Sequence, residues 1–169
     1  MKLKRHQARA TRVNVSRLTD METAPLHNHK RRLLGRTEDT ANRMADSLHH
    51  VSSLPELQKL FSSTTYVVVD FYADWCGPCK TIAPIYANLS KKHGIGGVLG
   101  FAKVNVDNAQ DIARQYNISA MPTFMFFKDG NQVAVNGQAL MRGADPRTLT
   151  AAAEKLGGLA KKRAEEGKK

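Results

Sequence analysis

The chain has 169 residues, 26 Lys and Arg against 15 Asp and Glu, a formal net charge of +11 and 41% hydrophobic residues. That suits one soluble globular domain of ordinary size with polar appendages, and two cysteines are too few for a disulfide scaffold or a four-thiolate zinc site. The longest run free of charged residues, Gln115 to Phe127, is thirteen residues with a proline inside, and no apolar core follows the basic start, so neither a membrane span nor a secretory signal is expected.

The charge sits at the ends. Residues 1–46 hold eleven Lys and Arg against five Asp and Glu, residues 47–157 ten against eight, and residues 158–169 five against two. We read a near-neutral domain over 47–158, a basic and disordered extension over 1–46 and a basic tail over 159–169. The extension has no acidic residue before Asp20, a bias shared with mitochondrial presequences. Its apolar Leu3, Val13, Val15 and Leu18 form no sustained stripe. No aromatic residue is there to stack on bases, so a nucleic-acid-binding arm is disfavoured and no nucleic-acid partner is expected.

The middle reads as alternating strands and helices. His49 to Val51 is a short strand, and Ser53-Leu54-Pro55-Glu56 is a capping box opening a helix with Leu57, Leu60 and Phe61 on one face. Tyr66 to Tyr72 is β-branched and aromatic with little alternation, which suits a central strand buried on both sides. A helix is predicted from Cys76 to His93, kinked by Pro84, followed by a strand over Val98 to Asn105 and a helix over Ala109 to Tyr116. Phe124 to Lys128 is a strand that turns at Asp129-Gly130 into an antiparallel partner, Val133 to Val135. Asp145-Pro146 starts a last helix, and Gly157-Gly158 is expected to stop it after Leu156. The order βαβαβαββα gives an α/β sheet with helices on both faces.

The chemistry lies in Trp75-Cys76-Gly77-Pro78-Cys79-Lys80. A haem attachment would need His where Lys80 stands. Zinc would need two further ligands, and His49 and His50 are adjacent while His93 stands alone, so no metal is expected. The pair follows a buried strand and opens a helix, whose free amides and positive dipole end stabilise a thiolate. Cys79 lies one turn from Cys76 on the same face, within reach of a disulfide. Gly77 and Pro78 make the tight turn into the helix. Cys76, expected to be the exposed nucleophile, would attack a substrate disulfide as its thiolate, and Cys79, expected to be the buried resolving thiol, would then attack the Cys76 sulfur to release reduced substrate.

The string Val69 to Lys80 resembles the active-site segment of thioredoxins. The resemblance continues through Pro84, Lys103-Val104-Asn105-Val106-Asp107, Ala120-Met121-Pro122-Thr123-Phe124 and Phe127-Lys128-Asp129-Gly130, and covers roughly residues 48–157. It implies a thioredoxin fold, a central mixed β-sheet flanked by helices on both faces. It implies a protein-disulfide reductase serving cell redox homeostasis, with no bound cofactor beyond the redox-active disulfide Cys76–Cys79. Thioredoxin reductase would be the electron donor, disulfide-containing proteins the substrates, and the working form a monomer with no membrane association. The Gly-Pro dipeptide is the reducing form. By position, the resemblance makes Asp70 the buried carboxylate that takes the Cys79 proton and Lys103 the lysine near it. Trp75 becomes a wall of the active-site surface. Pro122 becomes a cis-proline beside the disulfide, with the Met121 backbone pairing with substrate, and Gly143 a glycine allowing close approach. The bland alternatives stay open, namely an ordinary strand-end Asp70, a solvated Lys103 and a trans Pro122. Met125, Phe126 and Phe127 read as sheet core.

The chain also departs from the family. Tyr72 stands where bacterial thioredoxins have a second tryptophan, the hairpin between Gly130 and Gly143 is long, with Asn136-Gly137 as an extra turn, and both basic ends are additions. A cytoplasmic location is expected, or the mitochondrial matrix if residues 1–46 act as a presequence. The competing function is a binding or adaptor module on the same fold, guided by a basic tail.

Overall fold

The computed structural model describes residues 48–167. The readings of residues 1–46 as an extension, presequence or nucleic-acid arm lie outside them. Among the described residues the elements are β1 (Leu48–Val51), α1 (Leu54–Ser63), β2 (Tyr66–Tyr72), α2 (Gly77–His93), β3 (Leu99–Asn105), α3 (Gln110–Gln115), β4 (Thr123–Lys128), β5 (Asn131–Gln132), β6 (Leu140–Arg142) and α4 (Pro146–Glu166).

The sheet runs β1-β3-β2-β4, and β5 and β6 each pair with β4. β1, β3 and β2 are parallel, and β4 is antiparallel to β2. β2 therefore has a neighbour on both sides, as its apolar run, interrupted only by Asp70, requires. Alternation along it splits the core in two. Val67, Val69 and Phe71 join Leu57, Leu60 and Ile112, beneath α1 and α3. Val68 joins Ile82, Tyr86, Leu149 and Leu156, beneath α2 and α4. The Tyr86 hydroxyl lies 2.9 Å from the carbonyl oxygens of both Val68 and Ala102, which satisfies the polar tip of a fully buried side chain in this layer. The expected α/β architecture is thus present, and its central strand points its C-terminal end at the CxxC segment.

Three local expectations are corrected. Ser53 caps α1 without a side-chain hydrogen bond, and Glu56 reaches back to the amide and hydroxyl of Ser52 instead, at 2.8 and 3.0 Å. The return strand after β4 is divided. Only Asn131–Gln132 continues the ladder as β5. Asn136 (φ +52°) and Gly137 (φ +81°) then form a two-residue turn bridged by Val135 and Gln138. The ladder positions beside Thr123 to Met125 go to β6, a strand not anticipated.

The third correction concerns Gly157-Gly158, which do not stop α4. The helix continues to Glu166 and buries Ala160 alongside Leu149, Ala152, Ala153 and Leu156. Gly157 is a contact glycine. A Cβ on it would stand 2.6 Å from His93 Nδ1 at the end of α2, so the missing side chain lets the two helices approach. Most of the tail read as 159–169 is accordingly carried on this helix.

Candidate active site

β2 ends at Tyr72, and the chain turns through Ala73, Asp74 and Trp75 before Cys76 caps α2. Gly77 and Pro78 occupy the first helical turn, where an absent proline N–H leaves no helical bond unmade. Cys76 and Cys79 form a disulfide with their Cα atoms 5.3 Å apart. The Cys76 sulfur also accepts a hydrogen bond from the Cys79 amide at 3.2 Å. Residue exposure does not separate the two cysteines, at 5% and 4%, contrary to the expectation of an exposed Cys76 and a buried Cys79. What separates them is the cap: only Cys76 Sγ sits at the unsatisfied amides of the helix start. A Cβ built on Gly77 would meet no described residue within 4 Å, so none of them crowds the chain at that point beside the disulfide.

Asp70 is 1% exposed, and neither carboxylate oxygen has a hydrogen-bond partner among the described residues. Lys103 Nζ stands 3.7 Å from Oδ2, an ion contact too long for a hydrogen bond. Burial pushes the Asp70 carboxyl up to about 7, against the lowering pull of Lys103. The Lys103 side chain is mostly buried and its ammonium lies 4.3 Å from the centre of the Tyr72 ring. It is therefore no solvated surface lysine, and Tyr72 has a use that a sequence reading alone does not reveal.

The surface around the disulfide is built from other loops. Trp75 is 69% exposed, yet its indole N–H donates to Asp107 Oδ2 at 3.0 Å, which fixes the ring. Asn105 braces this corner. Its amide nitrogen donates to Asp74 Oδ2 and its carbonyl oxygen accepts the Asp107 amide, both at 3.0 Å. Met121 packs against the cysteine pair, and the Met121–Pro122 peptide bond is cis. The Pro122 carbonyl accepts the Gly143 amide at 2.8 Å, which ties the last loop to the proline. Gly143 itself has φ +88° and open space where a Cβ would be, so its backbone conformation requires glycine here, not a close neighbour in the fold. An open cavity of about 670 Å³ runs from Trp75 and Met121 to Arg114 and Asn117. Asp107, Asn105 and Asp74 were not assigned roles from sequence. Asp74 follows β2, whereas Asn105 ends β3 and Asp107 lies just beyond it, so the sequence carries little local signal for partners that stand about thirty positions apart.

The thioredoxin family model matches residues 39–151. The chain belongs to the thioredoxin family. It is 73% identical over 116 residues to a thioredoxin-like protein of Fusarium culmorum, covering 69% of this chain and 96% of that one. It is 56% identical over 121 residues to a thioredoxin of Neurospora crassa, covering 72% and 95%. The crystal structure of Malassezia sympodialis thioredoxin superposes with a TM-score of 0.57 at 38% identity, over 65% of this chain and 90% of that one. The fold is the thioredoxin fold, and the chain is a thiol–disulfide oxidoreductase. Thioredoxins need no cofactor beyond their redox-active cysteines. Among the described residues no three His, Cys, Asp or Glu side chains cluster as a metal site.

Proposed function

We propose that this thioredoxin reduces protein disulfides with Cys76 as nucleophile and Cys79 as resolving thiol. The hydrogen bond from the Cys79 amide to Cys76 Sγ at the start of α2 carries this reading, because it favours the charged sulfur at one position only. Cys76 thiolate attacks one sulfur of the substrate disulfide, and the other leaves as a thiolate. Cys79 then gives its proton to the Asp70 carboxylate and attacks Cys76 Sγ. The second substrate thiolate leaves, and the Cys76–Cys79 disulfide holds the two-electron oxidation. An Asp70 carboxyl near 7 suits that proton transfer at neutral pH. Trp75, the Met121 backbone, Pro122 and Gly143 form the surface on which the extended substrate segment lies. Thioredoxin reductase returns the electrons, and the protein acts as a monomer. We infer a cytoplasmic location, with the mitochondrial matrix as the alternative that residues 1–46 would set. Fusing those residues to a fluorescent reporter distinguishes the two.

The test of the mechanism is Cys79→Ser. Mixed disulfides through Cys76 should accumulate in a lysate and vanish with dithiothreitol, and insulin reduction should stop. A clean gel would favour the adaptor reading.

A further inference from the structure

β2 is seven residues long, so its first residue, Tyr66, lies about 20 Å from the end that leads into the disulfide. At that far end a cleft of about 280 Å³ opens between the segment after β5 and helix α4. Tyr66, Lys128, Val133, Val135, Lys155 and Leu159 line it. Tyr66 and Lys128 face each other across the β2–β4 ladder. Among the described residues two large hydrophobic side chains are exposed. One is Trp75, at the disulfide; the other is Leu159, 42% exposed, at this cleft. Leu159 falls outside the stripe of Leu149, Ala152, Leu156 and Ala160 that packs on the sheet, so the core does not account for it.

The charges at the rim have one sign. Lys128 and Lys155 are both exposed, and neither has an acidic partner among the described residues. Among the described residues no acidic side chain lines the cleft. On α4, Lys155, Leu159 and Lys162 follow at i, i+4 and i+7, which places a second cation on the same flank as the leucine. Glu154, by contrast, is already paired with Lys92, at 3.8 Å.

We propose that this cleft docks an acidic segment of a partner protein, which inserts apolar side chains between Lys128 and Lys155 and sets its carboxylates against the two ammonium groups. The cleft is smaller than a usual cofactor cavity and suits the anchor side chains of a peptide. It is recessed between two elements and holds one exposed leucine. An anionic bilayer takes a projecting apolar face instead. The site is separate from the disulfide, so a partner held here would leave the dithiol free to react.

The experiment uses the full chain and two blocked peptides. One is Glu-Asp-Leu-Phe-Glu-Asp, and its twin carries Lys at every acidic position. Nitrogen-15 NMR titration with the acidic peptide should shift the amides of Tyr66, Val133, Val135 and Leu159, and the twin should bind at least tenfold more weakly. The double variant Lys155→Glu, Leu159→Glu should weaken the acidic peptide at least tenfold while insulin reduction is unchanged, which also shows that the variant folds. Equal binding of the two peptides would overturn the proposal. So would shifts confined to Trp75 and Met121, or undiminished binding by the double variant. Sedimentation with phosphatidylserine vesicles that the double variant abolishes, without peptide shifts in the cleft, would overturn it in favour of a membrane.

Discussion

Two helices of this molecule begin in the same way and use the beginning differently. α2 follows Cys76 with Gly77-Pro78, and α4 follows Asp145 with Pro146. Each cap side chain accepts an amide from the first turn, Cys79 N–H to Cys76 Sγ at 3.2 Å and Arg147 N–H to Asp145 Oδ1 at 3.0 Å. At α4 the Thr148 hydroxyl and the Arg147 amide hold the Asp145 carboxyl below its ordinary range. Asp145 is charged at every physiological pH, so its cap serves the fold. A cysteine is charged only after losing a proton, so the same arrangement at α2 serves reactivity. One electrostatic device yields stability or chemistry according to the acid placed in it.

Removing each cap should therefore move a different observable. Cys76→Ser should lower insulin reduction by more than about 10³-fold, since the nucleophile is gone. Asp145→Ala should leave that rate unchanged and lower the thermal midpoint by a few degrees. A large activity loss in the Asp145 variant would erase the distinction between the two helix starts.

Asp70 sharpens the contrast, because it is an acid held without a cap. Its folded value of about 7 lies above the ordinary 3.8, so the folded protein binds its proton more tightly than the unfolded chain. Stability from this group is complete below about pH 4, falls as pH rises toward 7 and is level above it. The full difference is on the order of 4 kcal/mol. Asp70→Asn should raise stability in urea at pH 8 by about 2 kcal/mol, less than the full amount because Lys103 loses its counter-charge. It should also slow release of substrate from the mixed disulfide. A variant that is less stable at pH 8 and resolves at the normal rate would remove Asp70 from the mechanism.

A smaller effect is expected where α2 and α4 meet. Gly157→Ala would place a methyl 2.6 Å from His93 Nδ1 and 3.2 Å from its Cγ. The displaced ring should cost about 1 kcal/mol in urea unfolding, after the helix gains from alanine. An increase in stability would show that the two helices can separate freely there.

The parts of this structure legible in the sequence are those with local causes. The run Tyr66 to Tyr72 fixes the central strand, and Cys76-Gly77-Pro78-Cys79 fixes the helix start beside it. Where reading by local signals fails, a distant partner decides. Gly157-Gly158 has the composition of a helix end, but Gly157 is small for the sake of His93, sixty-four positions earlier. Val133 to Val135 has strand composition, but the Asn136-Gly137 turn hands the β4 ladder to Leu140–Arg142. Gly143 is explained by its positive φ, a property that a sequence does not print. The site shows the same division. Its two sulfurs are visible as a motif, whereas the bracing of Trp75 by Asp107 and the seating of Lys103 over Tyr72 arise from side chains that only the fold brings together.

The claim that the start of α2 makes Cys76 the reactive sulfur has a direct measurement. The reduced protein is exposed briefly to iodoacetamide at pH 7, quenched, and the label on each cysteine is quantified by peptide mass spectrometry. Cys76 should be alkylated at least about tenfold faster than Cys79, because it alone sits at the free amides of the helix. Labelling of Cys79 first, or of both at one rate, would contradict the account.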